Sequence, residues 1–139
     1  MRRGSIVVET ALLAALLAVL AIVAADATAA WRLRTVLVAA AREGARIASL
    51  VPNLQQNDPA AVAVIDEVLT GAGIEPARAG RVVSFSAPLA PGDPVTAAVL
   101  YTFQPSAPGL TAAFGGPIPL RAEARMPYRG SGASAAAAP

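Results

Sequence analysis

SIVVETALLAALLAVLAIVAADATAAWRLRTVLVAAAREGARIASLV, residues 5 to 51, decides the architecture, because no proline interrupts it and Gly44 is its only glycine. Its first part, Ser5 to Ala25, is apolar apart from Ser5, Glu9 and Thr10. At about 1.5 Å per helical residue this stretch reaches about 31 Å, close to the hydrocarbon thickness of one bilayer. The run after Thr10, Ala11 to Ala25, is marginal for a span by itself. The segment therefore anchors only if the helix begins near Ser5 and carries Glu9 into or beside the membrane. Arg2 and Arg3 precede it, so the positive-inside rule puts the N-terminus in the cytoplasm and the chain beyond Asp26 outside.

The helical pattern continues past the apolar run. Leu33, Val36, Leu37, Ala40, Gly44, Ile47 and Val51 fall on one face at 3.6-residue spacing, with Arg32, Thr35, Arg42, Glu43, Arg46 and Ser49 on the opposite side. One helix from about Ser5 to Val51 is expected, its first half in lipid and its second half amphipathic. Trp31 suits an interfacial aromatic, and equally a residue packing on the folded domain.

Val51-Pro52-Asn53 ends that helix, since proline disfavours helical geometry in the residue before it. Asp58-Pro59 is a start signal, an N-cap followed by proline at the first helical position. Val62, Ile65, Val68 and Leu69 then form an apolar stripe, which Gly71-Ala72-Gly73 terminates. From Arg81 the period becomes two. Val83, Phe85 and Ala87 alternate with serines; Val95, Ala97, Val99, Tyr101 and Phe103 form a second series. Ile118, Leu120, Ala122, Ala124 and Met126 alternate with Arg121, Glu123 and Arg125, the clearest amphipathic strand in the chain. Proline- and glycine-rich connections separate the three series, which suits an antiparallel sheet with helices over its apolar face.

The expected class is therefore α+β: a long N-terminal helix, transmembrane then amphipathic, a short second helix and a small antiparallel sheet of about three strands. The corresponding regions are 5–26 for the transmembrane helix, 27–51 for its amphipathic continuation and 52–129 for an extracytoplasmic α+β domain. Residues 130–139 form a tail of small, uncharged residues that is expected to be disordered.

Composition narrows the function. Of 139 residues 55% are apolar but only 4% aromatic, so alanine supplies much of the apolar content and the core must be thin. Neither cysteine nor histidine occurs, and all eleven basic residues are arginine. That excludes disulfides, thiolate or imidazole metal sites, Schiff-base chemistry and the familiar nucleophile–base pairs. Asp66 and Glu67 are adjacent on a helix and point about 100° apart, so they do not share a site. No catalytic, cofactor-binding or metal-binding residue is expected. The net charge of +2 comes from Arg2 and Arg3; the rest of the chain balances nine arginines against nine acids, which argues against nucleic-acid binding.

Arg2-Arg3-Gly4-Ser5-Ile6-Val7-Val8-Glu9 resembles the processing site of type IV pilin-like proteins. Farther on, Ala39-Ala40-Ala41-Arg42-Glu43-Gly44-Ala45-Arg46 resembles the AAREGAR-like signature that follows the membrane segment in TadE-like proteins. These are minor pseudopilins (TadE and TadF) of the Tad/Flp type IV pilus assembly system, used in surface attachment. The likeness covers about residues 2 to 128, with the region between Asn53 and Gly116 matching in pattern only. It implies a leader over residues 1–4, removed by a prepilin peptidase between Gly4 and Ser5. It also implies a register role for Glu9, fifth in the mature chain and pairing with a neighbour's N-terminal amine. The implied partners are that peptidase, other pilus subunits, the assembly platform and the lipid bilayer. The implied location is the cytoplasmic membrane, single-pass with the domain outside, or a cell-surface pilus once incorporated.

Read from the residues alone, Gly44 lies on the apolar stripe, where its missing side chain permits close backbone approach. Arg42 and Arg46 repel at i,i+4, and Glu43 offsets this from its i,i+3 position to Arg46. The arginines then serve a partner, the domain's own carboxylates or simply a solvated face. A second reading of the N-terminus is a secretory signal peptide cut near Ala25-Asp26-Ala27 or Ala27-Thr28-Ala29, releasing an extracytoplasmic binding domain. The unbroken helical pattern and Glu9 oppose it. A generic single-pass protein carrying an unrelated domain is a third.

Overall fold

The computed structural model describes residues 3–106, 111–112 and 115–130, with side chains from residue 7 onward. The fold is α+β. Helix α1 spans Arg3–Ala48 and α2 spans Pro59–Gly71. A 3₁₀ turn over Pro76–Arg78 leads into strands β1 (Ala79–Phe85), β2 (Pro94–Phe103) and β3 (Ile118–Pro127). The sheet order is β1-β2-β3. β1 and β2 pair antiparallel from Ala79 opposite Tyr101 to Phe85 opposite Val95. Beyond β2 and β3, the bonds Gly92 N–H to Tyr128 O and Tyr128 N–H to Asp93 O extend the pairing of those two strands. The chain divides into two compact units, Met1–Arg32 with Phe103–Ile118 and Leu33–Thr102 with Pro119–Pro139.

The second unit holds the core. Leu37, Ala40, Ala41, Gly44, Ala45, Ala48 and Ser49 are buried on α1, an i, i+3, i+4, i+7 pattern that defines one helical face. They join Ala61, Ile65 and Leu69 of α2 with Val83, Val95, Ala97, Val99 and Ala122 of the sheet. Five of the α1 positions are alanine or glycine, so side-chain volume comes mainly from α2 and the strands. The expected start of α2 holds: Asp58 caps it, its carboxylate accepting the Ala60 N–H at 3.0 Å. At the other end Gly73 takes φ +76°, a conformation glycine adopts without penalty. On β3, Ala122 is buried and Arg121, Glu123 and Arg125 face solvent, as the alternation predicts.

Two details of α1 differ from the sequence reading. The helix ends at Ala48 and not at Val51. Ser49, expected on the polar face, is buried at 4% exposure. The reason lies in the close of the helix. The Ser49 hydroxyl donates to the Arg46 carbonyl at 2.7 Å, and its own carbonyl accepts the Arg129 N–H at 2.7 Å. The Tyr128 hydroxyl donates to the Val51 carbonyl at 3.0 Å. The Ser49 hydroxyl thus satisfies one of the carbonyls that the end of a helix leaves without partners, chain beyond β3 satisfies carbonyls of the segment that follows the helix, and Ser49 is covered in doing so.

The edge of β1 is covered as well. Asn57, at φ 54°, donates its N–H to Val83 O at 2.8 Å and accepts the Val83 N–H on its side-chain oxygen at 2.9 Å. Gln56 donates to Phe85 O at 2.9 Å. A bare strand edge invites pairing with another chain, and these bonds close part of it. Of the tail expected over 130–139, Gly130 is buried, and residues 131–139 lie outside the described residues.

Candidate functional site

Two stretches of α1 carry the residues singled out above. The first belongs to the unit of Met1–Arg32 with Phe103–Ile118. Gly4 and Ser5 lie in the opening turns of the helix. From Val7 to Val23 the large apolar side chains are 36% to 69% exposed, on every side of the helix and not along one stripe. A helix serving a water-soluble core buries one face; this one buries none over that stretch. The chain has one helix long and apolar enough to cross a membrane among the described residues. Glu9 is exposed and is the single acid between residues 3 and 25. Trp31 is 69% exposed, so it is not a buried core residue.

In the sequence, the carboxylate that closes the apolar run marks only a boundary. Asp26 is 8% exposed, and its two oxygens lie 3.2 and 3.1 Å from the Ser106 N–H that they accept. This bond joins residues far apart in the chain, and no local pattern announces it. Nearby, the Thr28 hydroxyl donates to Ala24 O at 2.8 Å, bonding back into the helix.

The second stretch, Arg42 to Arg46, belongs to the other unit. Its residues divide by role. Gly44 is buried; a Cβ there would lie 2.5 and 2.6 Å from Cγ1 and Cδ1 of Ile65 and 3.5 Å from Cβ of Ala97. The missing side chain is the seat of Ile65, which is itself fully buried. Arg42 and Arg46 are exposed. Glu43 pairs with Arg46 at 2.7 Å, as its i,i+3 position predicts. With both side chains about half exposed that pair is worth only about 0.3–0.5 kcal/mol. No ion pair or hydrogen bond draws the Arg42 side chain to a carboxylate among the described residues.

Other charged groups are engaged in holding the fold. Arg81 donates to both oxygens of Asp66, at 2.5 and 2.6 Å, and so ties β1 to α2. Asp93 accepts the Ala90 N–H at 2.7 Å within its turn. On the solvent face of β3, Glu123 receives Arg125 at 2.7 Å and Arg121 at 3.0 Å. The Arg125 hydrogen bond, the largest effect, holds the Glu123 carboxyl below its ordinary range; partial desolvation opposes it, and the charges of both arginines and the Arg121 hydrogen bond add to the lowering.

The arrangement is therefore one of surfaces: an apolar helix exposed all round, a lone carboxylate within it, and an arginine-bearing helix face. Comparison with protein-family models, curated proteins and solved structures gave no match to this chain.

Proposed function

We propose that this chain is a membrane-anchored minor pilin-like subunit of the TadE type, processed between Gly4 and Ser5 and acting by assembly, not catalysis. The observation that carries the reading is the Val7–Val23 stretch of α1, exposed and apolar on all sides, with Glu9 as its one acid. Water is a poor solvent for such a surface. Leaving one large aliphatic side chain exposed forgoes about 1.5–3 kcal/mol, and this stretch carries ten. Lipid, or the apolar helices of neighbouring subunits, would supply the missing environment. In either, Glu9 is costly unless paired, which suits the freed amine of a neighbouring Ser5.

The signature supports the same reading through its division of labour. Gly44 serves the chain's own fold by seating Ile65, which leaves Arg42, Glu43 and Arg46 outward and available to other pilus components. The partners are the prepilin peptidase, other pilus or pseudopilin subunits, the assembly platform and the bilayer. The N-terminus lies in the cytoplasm and the folded domain outside. Cleavage by signal peptidase near residues 25 to 29 would cut a continuous helix and separate Glu9 from the rest. Gly4→Leu tests the proposal: with the cognate peptidase co-expressed, the substituted chain should keep its leader while the parent loses it. Equal mature masses for the two would reject processing at this site.

A further inference from the structure

The chain as a whole is almost neutral, but its charges are sorted along the sequence. Between Ala27 and Leu50 stand four arginines and one acid, and between Val51 and Ala77 four acids and no basic residue. These stretches are the outer part of α1 and the segment built around α2. The fold uses some of the groups internally: Asp58 is buried as the cap of α2, Asp66 holds Arg81, and Glu43 holds Arg46. What remains is of one sign on each helix. On α1, Ala39, Arg42 and Arg46 recur at i, i+3 and i+7 and are exposed. On α2, Ala60, Ala63, Glu67 and Thr70 form an exposed face in the same way. Just beyond that helix Glu75 is exposed, and its side chain makes no capping bond. Among the described residues neither the Arg42 guanidinium nor the Glu67 carboxylate enters a hydrogen bond or ion pair. Both faces belong to the unit that holds Leu33–Thr102.

We propose that the Glu67 face of α2 in one copy of this chain docks on the Arg42–Arg46 face of α1 in the next. The proposal rests on the reading that the subunit acts by assembly, and it names a second copy as the occupant of the arginine face. Cβ atoms one helical turn apart lie about 5–6 Å from each other, so a carboxylate entering between Arg42 and Arg46 reaches both guanidinium groups. It offsets the repulsion between the two arginines, which Glu43 answers only at Arg46. The complement to the arginines thus lies on the chain's own second helix. Because the two faces differ, the contact is heterologous. Each copy offers a basic face to one neighbour and an acidic face to the other, so the contact repeats along a row of copies. The opposite signs also set which face meets which, since α1 against α1 or α2 against α2 brings like charges together.

The test uses full chains in phosphatidylcholine vesicles. The sequence has no cysteine, so Ser86→Cys, exposed and outside both faces, takes a donor dye in one preparation and an acceptor in another. Energy transfer between parent chains reads the contact. Arg42→Glu and Glu67→Arg should each lose about half of that transfer or more, because like charges then face each other across the contact. A donor-labelled Arg42→Glu chain mixed with an acceptor-labelled Glu67→Arg chain should regain it, since every contact between the two kinds again joins opposite charges. The chain carrying both substitutions, with the parent's net charge of +2, should regain it alone. Recovery also shows that the substituted chains are folded. Absence of transfer between parent chains that resist carbonate extraction overturns the contact and leaves the anchored subunit standing. Extraction by carbonate overturns the anchor, and the same exchanges in solution then decide the contact. Loss in Arg42→Glu with none in Glu67→Arg assigns the arginines to another acidic partner and overturns the proposal. Transfer unchanged in both, or lost in both and not regained on mixing, overturns it as well.

Discussion

Replacing Gly44 with alanine sets two effects of known sign against each other. In an exposed helix interior the change would stabilise by about 0.8–1 kcal/mol, because alanine is the better helix former. Here the added Cβ would fall 2.5 Å from Cγ1 and 2.6 Å from Cδ1 of Ile65. Carbon–carbon contact is comfortable at about 3.5–4.0 Å, so Ile65 must retreat by about 1 Å or the helices must part. Ile65 is fully buried and Ala97 stands 3.5 Å from the same point, so neither movement is free. Overpacking of this kind costs typically 1–3 kcal/mol, which outweighs the propensity gain and leaves a net loss of about 1 kcal/mol. The assay is pulse proteolysis in urea on the full chain in detergent micelles, run as a double-mutant cycle with Ile65→Ala. Ile65→Ala alone should cost about 2–5 kcal/mol by leaving a cavity. In the double variant the new methyl enters that cavity, so the loss should fall short of the sum by about 1 kcal/mol or more. Additivity within about 0.5 kcal/mol, the norm for residues that do not touch, would refute the seat of Ile65 at Gly44.

Glu9→Leu should strengthen membrane retention while weakening assembly, since an acid costs on the order of 2.5–3.5 kcal/mol at the centre of a span and less towards the interface, where Glu9 stands. Fractionation and recovery of sheared fibres from one strain read both quantities, and normal fibres from a processed Glu9→Leu subunit would exclude an essential register contact. Arg81→Met should cost under about 1 kcal/mol, because both partners are about a third exposed. A cycle with Asp66→Asn should show a coupling that shrinks in high salt, and a salt-independent coupling would contradict this. For Glu123 the folded-state pKa is lowered, so the carboxylate's contribution is present above its unfolded value and fades as pH falls through the folded one. A carboxyl NMR titration should place Glu123 below ordinary glutamate, and Arg125→Gln should move its midpoint upward. No upward movement would contradict the assigned cause.

The elements with strong local signals were legible in advance. Asp58-Pro59 announces α2, the alternation of Ile118 to Met126 announces β3, and an uninterrupted run without proline announces α1. The buried face of α1 was legible only in part. Leu37, Ala40 and Gly44 stand on the expected stripe, yet Ala41, Ala45 and Ala48 are equally buried. Alanine occupies core and surface alike, so hydrophobic periodicity is weak where the apolar residues are mostly alanine. Ser49 reads as a surface residue by its polarity, but the chain after β3 covers it. The 3₁₀ turn at Pro76–Arg78 and the Asn57 clamp on Val83 left no periodic trace. At the candidate site, the close approach at Gly44 and the Glu43–Arg46 pair were readable, since both depend on helical geometry. Asp26 to Ser106 was not, since its two ends meet only through the fold.

Removal of a short basic leader, leaving Ser5 at the start of an anchored helix, is read from the N-terminal residue of the mature protein, by intact mass and terminal sequencing in cells that contain the prepilin peptidase. The mature chain should begin at Ser5, lighter by Met1 to Gly4 and retained in the membrane. A mature chain beginning between Ala27 and Trp31 and free of the membrane, or one that keeps Met1 to Gly4 in the presence of active peptidase, would contradict it.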